Sequence, residues 1–412
     1  MRGRRAGILA VLLVALVAGC TGGGSGSGSE GLLGQAQGGS STAAPTTSPA
    51  PAARVSISPR SGTDGYSVVK PVVVTAAAGT LSSVTVRNAD GEPLRGALNT
   101  ARTTWTSAEP LGYDRTYSVS AVAANADGKQ TRATSRFTTV QPRTFTLPYL
   151  SPSPGSVVGV GQPIAVRFDE PIADRAAAER ALTVTTTPAV QGSWHWFSDQ
   201  LVHWRPPTYW RPGTRVTVEA AVYGVHVGDD VYGQQDVSMS FTIGRSKIAT
   251  IDDNTKQMVV RIDGKVVRKI PVAMGKDEQV VVDGKTINYL TQSGPHIVAE
   301  KYAVKTMSSA SYGVTDKEHP EYYEEKIPLA VRISPDGEFV HAAPWSVADQ
   351  GRRNVSHGCV NISPDNARWF YKTFSFGDVV DIRNTGRLLP QAPGYNEWGI
   401  PWSQWKAGSA LS

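Results

Sequence analysis

Cysteine is scarce in this sequence, since only Cys20 and Cys359 occur among its 412 residues. With so few cysteines, a β-sandwich in this chain has no inter-sheet disulfide of its own. The core of such a domain must therefore rest on Trp, Val and Phe side chains.

Strong charge and long apolar runs are also missing. The net charge is +6, from 41 basic and 35 acidic residues, which over this length is only a weak attraction to anionic polymers. No basic cluster with interleaved aromatics stands out, so we expect no nucleic-acid partner. Beyond the N-terminus, no apolar run could form a transmembrane helix. The length suggests two to four domains.

The N-terminus has the pattern of an export signal. Basic residues in MRGRR precede a short apolar run, and small residues stand before Cys20. A cysteine directly after such a site resembles a bacterial lipobox, which implies a signal peptide over 1–19 and a lipidated Cys20. The alternative is an ordinary signal with an accidental cysteine. Residues 20–54 are rich in Gly, Ser, Pro and Ala and predict a disordered tether.

These features predict that the mature protein is lipid-anchored at the outer face of the cytoplasmic membrane, facing the cell wall. Cys359 then has no intramolecular partner, although exported proteins tend to pair their thiols. An odd exported cysteine indicates either intermolecular pairing or a reactive thiol. The composition thus favours a reactive thiol at Cys359.

Two stretches of alternating, strand-like sequence follow the tether, over 55–143 and 144–244. Each has a tryptophan, Trp105 or Trp204, followed by a proline, a strand-like run and a closing Phe-Thr pair. The period of about 100 residues is typical of an immunoglobulin-like β-sandwich. The sequence therefore predicts a mainly β protein with two such sandwiches.

The third region, 245–384, continues with β-hairpin patterns and contains one well-marked helix. Ser363 can cap this helix, and Gly377 is expected to end it. The tail over 385–412 carries Trp398, Trp402 and Trp405, which need burial. We expect the tail to pack on a neighbouring domain, the alternative being that its tryptophans stack on sugar rings.

Cys359 lies in a segment suited to nucleophilic catalysis. A thiol becomes a strong nucleophile when a nearby histidine takes its proton. The sequence offers His341 and His357, and the residues alone do not choose between them. Gly358 has no side chain, which lets the amides of Gly358 and Cys359 approach a developing oxyanion.

The spacing of these residues resembles the signature of the L,D-transpeptidase (YkuD-like) family. His341 is followed by fourteen residues, then by Ser356-His357-Gly358-Cys359, with Asn361 two positions later. The segments HAAPWSV, GDVVDIRNTG and GIPWSQWKAG extend the likeness to exported mycobacterial members, in which two immunoglobulin-like domains precede a β-rich catalytic domain. The resemblance covers residues from about 55 to the C-terminus.

The resemblance also implies roles for the site residues. Cys359 would be the nucleophile, His341 the general base, and the main-chain carbonyl of Ala342 the group that orients His341. His357 and Gly358 would shape the site. Further family positions, implied to contact substrate, fall on Met307, Tyr312, Tyr323, Gly337, Trp345, Ser356 and Asn361. The acidic stretch 317–325 either alters acceptor preference or is a solvated loop, which we favour.

The reaction implied by the family is acyl transfer between peptidoglycan stem peptides. A tetrapeptide donor would acylate the cysteine with release of D-Ala, and the side-chain amine of diaminopimelate on another stem would complete a 3→3 cross-link. Attack by water would give carboxypeptidase activity instead. The family implies no metal, no cofactor and acylation by carbapenems. We expect a monomer.

Two other functions remain open. His341, His357 and Cys359 could ligate zinc in a peptidoglycan amidase or peptidase, although no acidic base sits at a recognised spacing. Alternatively, the sandwiches could be binding modules of a non-catalytic wall-binding lipoprotein.

Overall fold

The computed structural model describes residues 48–412 apart from residue 283, and it does not describe the side chains of Lys285 and Tyr312. The expected signal peptide, the lipidation site at Cys20 and most of the tether lie outside the described residues. No helix in the described part is long and apolar enough to cross a membrane. The described chain is mainly β, which confirms the fold class.

The first sandwich packs a four-stranded sheet, in the order β1-β2-β5-β4, against a three-stranded sheet, β3-β6-β7. Alternating side chains along these strands fill its core, which includes the rings of Trp105, Tyr117 and Phe137. The strands are β1 (Arg54–Ser58), β2 (Val73–Ala77), β3 (Thr80–Asn88), β4 (Gly96–Leu98), β5 (Thr104–Ser107), β6 (Thr116–Ala124) and β7 (Gln130–Thr138).

The second sandwich packs two four-stranded sheets, β10-β17-β15-β12 and β13-β14-β11-β9, with β8 and β16 paired separately. A short helix, α1 (Arg175–Arg180), forms the crossover before β12 and is capped by Asp174. The strands are β8 (Thr144–Thr146), β9 (Pro148–Ser151), β10 (Val157–Val158), β11 (Ile164–Phe168), β12 (Leu182–Thr187), β13 (Ser193–Trp196), β14 (Leu201–Arg205), β15 (Arg215–Ala220), β16 (Val231–Gly233) and β17 (Val237–Ile243).

Corresponding tryptophans occupy equivalent surroundings in the two sandwiches. Trp105 and Trp204 each lie against a glycine, Gly96 and Gly192, where an added Cβ would come within 2.1 Å of the indole ring. Both indoles are buried. The glycines therefore make room for the rings on which these disulfide-free cores are built.

The third region contains a five-stranded sheet, β20-β19-β18-β28-β23, and a four-stranded sheet, β24-β25-β26-β27. A hairpin of β21 and β22 stands beside them. The strands are β18 (Lys247–Asp252), β19 (Gln257–Ile262), β20 (Lys265–Pro271), β21 (Gln279–Val282), β22 (Lys285–Asn288), β23 (Gly294–Ile297), β24 (Glu300–Ser308), β25 (Glu324–Arg332), β26 (Phe339–Ala342), β27 (Val360–Ile362) and β28 (Val379–Arg383), with 3-10 turns at Ser309–Tyr312 and Pro344–Ser346.

The helix expected after the cysteine motif is α2 (Pro364–Thr373). The Ser363 hydroxyl accepts a hydrogen bond from the Asn366 N–H, as the capping prediction requires, and Phe370 and Phe374 are buried. The expected end at Gly377 is wrong, since the helix stops at Thr373. Gly377 instead adopts φ 81° and lies so close to the second sandwich that a Cβ there would meet Gln162 at 2.7 Å.

The C-terminal tail lies on the second sandwich, with a 3-10 turn at Glu397–Gly399 and helix α3 (Trp402–Ala407). The indole N–H of Trp405 donates to the Ser193 carbonyl at 2.8 Å, and its ring stacks on His195. Trp405 is fully buried. Trp405 therefore packs against β13 of the second sandwich.

A buried arginine underlies this tail, which the sequence did not indicate. The guanidinium of Arg205 lies within 5.4 Å of the ring centres of all three tail tryptophans, nearest that of Trp405 at 4.3 Å. It also donates to the carbonyl of Ile400 at 2.7 Å. Burial lowers the pKa of Arg205 to about 10, opposed by the nearby charge of Glu397. The contacts with the indole rings and the hydrogen bond to the Ile400 carbonyl together offset part of the free-energy cost of this desolvation.

Candidate active site

Strands β26 and β27 bring the predicted nucleophile and base together. They pair in parallel, with His341 opposite Asn361, and Cys359 directly precedes β27. Because side chains alternate along a strand, Cys359 and Asn361 share the face on which His341 lies. Cys359 and His341 both line one cleft of about 270 Å³.

His341 is held in one orientation and in the neutral form. Its side chain is 4 % exposed, and Nδ1–H donates to the main-chain carbonyl of Ala342 at 2.9 Å. Burial lowers the pKa of His341 to about 4, although the carbonyl bond raises it somewhat. With Nδ1 protonated, Nε2 carries the lone pair that can accept a proton. The geometry therefore gives the Ala342 carbonyl the orienting position expected for it.

The surroundings of Cys359 favour the protonated thiol over the thiolate. Its side chain is half-buried, and Sγ lies 3.9 Å from the carbonyl oxygen of Gly337. Burial raises the pKa of Cys359 to about 12, and a charge on Glu338 would raise it further, while the Phe339 amide lowers it. The resting pair with His341 is thus neutral, so proton transfer must accompany attack.

Residues Ser356 to Cys359 form a tight turn that positions the thiol. The Ser356 hydroxyl donates to the Cys359 carbonyl at 2.6 Å and accepts from the Gly358 N–H at 3.1 Å. From behind, the Thr291 hydroxyl donates to the Gly358 carbonyl at 2.8 Å. Gly358 adopts φ 128°, a conformation that only glycine takes readily.

One detail of this turn differs from the sequence expectation. The amides of both Gly358 and Cys359 were expected to face an oxyanion, but the Gly358 N–H already donates to Ser356. The cause is the Ser356 hydroxyl, which folds back into the turn. Ser356, expected to contact substrate, therefore has a structural role within the motif as well as a place in the cleft wall.

His357 faces an aromatic and acidic cluster. Its ring stacks on Tyr323, with centres 5.1 Å apart, and meets Tyr289 edge-on. Its Nε2 lies 3.6 Å from a carboxylate oxygen of Glu321, which also accepts from the Tyr289 hydroxyl at 2.9 Å. Burial lowers the pKa of His357, an effect that Lys276 increases and Glu321 opposes. These contacts suit a residue that shapes the cleft.

Glu321 belongs to the acidic stretch 317–325, for which a solvated loop was favoured. Most of its charged side chains are exposed, but Glu321 is partly buried against Tyr289 and His357, and Glu325 lines the cleft. The acidic stretch is therefore more than a solvated loop, because it contributes one carboxylate to the wall behind His357.

The remaining predicted contact residues lie around the same cleft. Trp345 forms its rim and is 57 % exposed, whereas Asn361 is buried and donates to the Ser346 hydroxyl at 3.2 Å. The Tyr312 side chain lies outside the described part. Predicted residues that line the cleft are Met307, Tyr323, His341, Trp345, Ser356, His357, Cys359 and Asn361. Lining residues that the sequence reasoning missed are Glu325, Ile327, Ser346, Asp349 and Val355.

The zinc alternative finds no supporting cluster in the described part of the chain. No group of three His, Cys, Asp or Glu side chains there is arranged to hold a metal ion. The nitrogens of the two motif histidines are directed at different partners, Nδ1 of His341 at a carbonyl and Nε2 of His357 at Glu321.

Comparisons with known proteins give two family matches for this chain. A bacterial Ig domain family matches residues 63–226, a stretch that spans parts of both sandwiches, and an L,D-transpeptidase catalytic domain family matches residues 246–382. L,D-transpeptidase 2 of Mycobacterium tuberculosis is 45% identical over 350 residues, which cover 85% of this chain and 83% of that protein.

Two further proteins are similar to this chain. L,D-transpeptidase 5 of Mycobacterium tuberculosis is 36% identical over 368 residues, covering 88% of this chain and 78% of that protein. A solved structure of an LD transpeptidase in complex with imipenem is 33% identical and covers 57% of this chain and 97% of that chain, with a TM-score of 0.48.

Proposed function

The chain belongs to the L,D-transpeptidase family, and from this premise we propose that it forms 3→3 cross-links between peptidoglycan stem peptides through a thioester on Cys359. One observation supports the mechanism most. His341, oriented by the Ala342 carbonyl, and Cys359 lie on one face of a sheet and line one cleft.

The first half-reaction acylates the enzyme. As Sγ of Cys359 attacks the carbonyl carbon of the third residue in a donor tetrapeptide, its proton passes to Nε2 of His341. The tetrahedral oxyanion is stabilised by main-chain N–H donors near the thiol, among which we assign the Cys359 amide. Collapse breaks the peptide bond, and D-Ala leaves with the proton from His341.

The second half-reaction transfers the acyl group. The side-chain amine of diaminopimelate on an acceptor stem attacks the thioester, and His341 takes a proton from that amine. The thiol is released with its proton restored, so one amide bond has replaced another. Water in place of the amine gives hydrolysis.

The decisive test is covalent trapping. Incubation of the full chain with a carbapenem such as imipenem should add one drug molecule per protein by intact mass. Cys359→Ala should show no adduct, and His341→Gln should form it at a strongly reduced rate, since the thiol is protonated at rest. An adduct that survives Cys359→Ala contradicts the assignment. Product analysis with a tetrapeptide donor and an amine acceptor then separates transfer from hydrolysis.

The same proposal places the enzyme on the outer face of the cytoplasmic membrane, anchored through a lipidated Cys20. Its support is the N-terminal pattern of basic, apolar and small residues. Cys20→Ser should move the protein from the membrane fraction to the medium or the wall fraction. Retention in the membrane would contradict the lipid anchor. Light scattering on the soluble domain tests the expected monomer.

A further inference from the structure

A buried carboxyl group that the mechanism does not use lies directly behind the nucleophile. Glu338 is 5 % exposed and stands in the turn between β25 and β26, next to Gly337. An added Cβ on Gly358 would lie 3.8 Å from Cγ of Glu338 and 4.0 Å from its Oε1. The carboxyl group therefore packs against the turn that carries Cys359.

The contacts of Glu338 indicate that it is protonated at rest. Its Oε1 accepts from the Gln292 N–H at 2.8 Å, whereas its Oε2 is buried with no hydrogen-bond partner among the described residues. The side-chain oxygen of Gln292 is likewise buried without a partner there. An ionised carboxylate would add a charge to a place that already has too few donors. The neutral carboxyl form avoids that charge.

The charged groups around Glu338 do not offset the cost of burying an ionised carboxylate there. Burial raises the pKa of Glu338 to about 8, and Asp336 adds to this, while the Gln292 amide, Arg387 and Ser334 lower it only in part. Arg387 uses its Nη1 for other partners, since this atom donates to the main-chain carbonyls of Asn288 and Leu290 at 2.8 and 3.0 Å. Asp336 is exposed and accepts from Gln292.

We propose that Glu338 is a positioning residue that supports the Ser356–Cys359 turn as a neutral acid and keeps negative charge away from the thiol. Ionisation of Glu338 then opposes the thiolate that forms during attack, and acylation slows. The proposal deepens the proposed function and rests on it, because the affected step is acylation of Cys359.

The test is the pH profile of acylation by a carbapenem, followed by intact mass in the wild type and in Glu338→Gln. The wild-type rate should fall about tenfold between about pH 7 and pH 9, because about nine-tenths of a carboxyl group is ionised one pH unit above its pKa. Glu338→Gln, which is neutral and of similar shape, should keep its neutral-pH rate through this range.

Asp336→Asn is the matched control, since it removes the same charge two positions away at an exposed site. It should retain the tenfold fall, moved toward lower pH because the charge of Asp336 raises the pKa of Glu338. The proposal is overturned if Glu338→Gln falls like the wild type, or if Asp336→Asn removes the fall equally well.

A direct measurement covers the case in which Glu338→Gln does not fold. Carbon NMR of wild-type protein labelled at glutamate carboxyl groups should show one glutamate titrating near pH 8, well above the ordinary value of 4.5. If every glutamate titrates near 4.5, the proposal fails. This readout needs no acylation, so it separates failure of the Glu338 proposal from failure of the proposed function.

Discussion

Slow alkylation of the resting nucleophile is the most direct consequence of a neutral Cys359–His341 pair. Burial raises the pKa of Cys359 from its ordinary 9.0 to about 12, a difference of about three units. Below pH 9, this lowers the thiolate fraction by about 10³ relative to an unperturbed cysteine. A more basic thiolate is also more nucleophilic. With a Brønsted slope of about 0.45, the rate constant of the thiolate rises about twentyfold, which offsets part of this loss. Iodoacetamide should therefore modify Cys359 roughly 40-fold more slowly than a reference thiol.

The assay uses a Cys20→Ser protein, so that Cys359 is the only thiol, and follows alkylation by intact mass at constant pH. A synthetic peptide with the sequence VSHGCVN serves as the unperturbed reference, and urea-unfolded protein serves as a second one. His341→Gln adds a sharper contrast. It should change resting alkylation little, because His341 is neutral at rest, while it strongly slows acylation by a carbapenem.

One result would refute this reasoning. If folded Cys359 reacts as fast as the peptide or faster, the resting pair is a thiolate and an imidazolium. The pKa of Cys359 would then lie below its ordinary value and that of His341 above it, the reverse of both directions that burial produces.

Three further predictions concern the supporting structure. Gly358→Ala forces a Cβ onto a backbone at φ 128° and should cost about 1–3 kcal/mol of unfolding free energy in urea titrations, with reduced acylation; wild-type values for both would contradict the strained turn. Trp405→Ala should cost about 3–5 kcal/mol, whereas Leu388→Ala in the exposed part of the same tail should cost less than about 0.5 kcal/mol, and equal losses would refute the anchoring contact. Removing residues 55–143 should leave carbapenem acylation largely unchanged, because the catalytic region contacts the second sandwich; complete loss in a folded truncation would contradict a spacer role for the first sandwich.

The chemical centre could be anticipated because its residues are close in sequence or carried by one motif. Cys359 and His341 follow a fixed spacing, and strand pairing then places them on one face. The choice between His341 and His357 came from the family resemblance. The structural basis of this choice is the hydrogen bond from His341 Nδ1 to the main-chain carbonyl of Ala342. The sequence of the motif does not reveal this contact between neighbouring residues.

The parts that escaped prediction depend on tertiary contacts. Glu338 in a turn beside Gly337 is typical of an exposed acid, but in the fold it is buried and contacts Gln292 and the turn at Gly358. The end of α2 was misplaced because Gly377 suggested a helix cap. Its positive φ serves a close approach to Gln162, more than 200 positions earlier in the chain.

The stacking of Arg205 beneath the tail tryptophans bears on how the chain is made. The ribosome completes the second sandwich, at Ile243, about 160 residues before it reaches Trp405. Until then, a desolvation-prone guanidinium and the indole-binding surface of β13 stand open to water. The second sandwich therefore gains this cover only after Trp405 has been synthesised. A chain cut ahead of helix α3 would leave this face of the second sandwich uncovered.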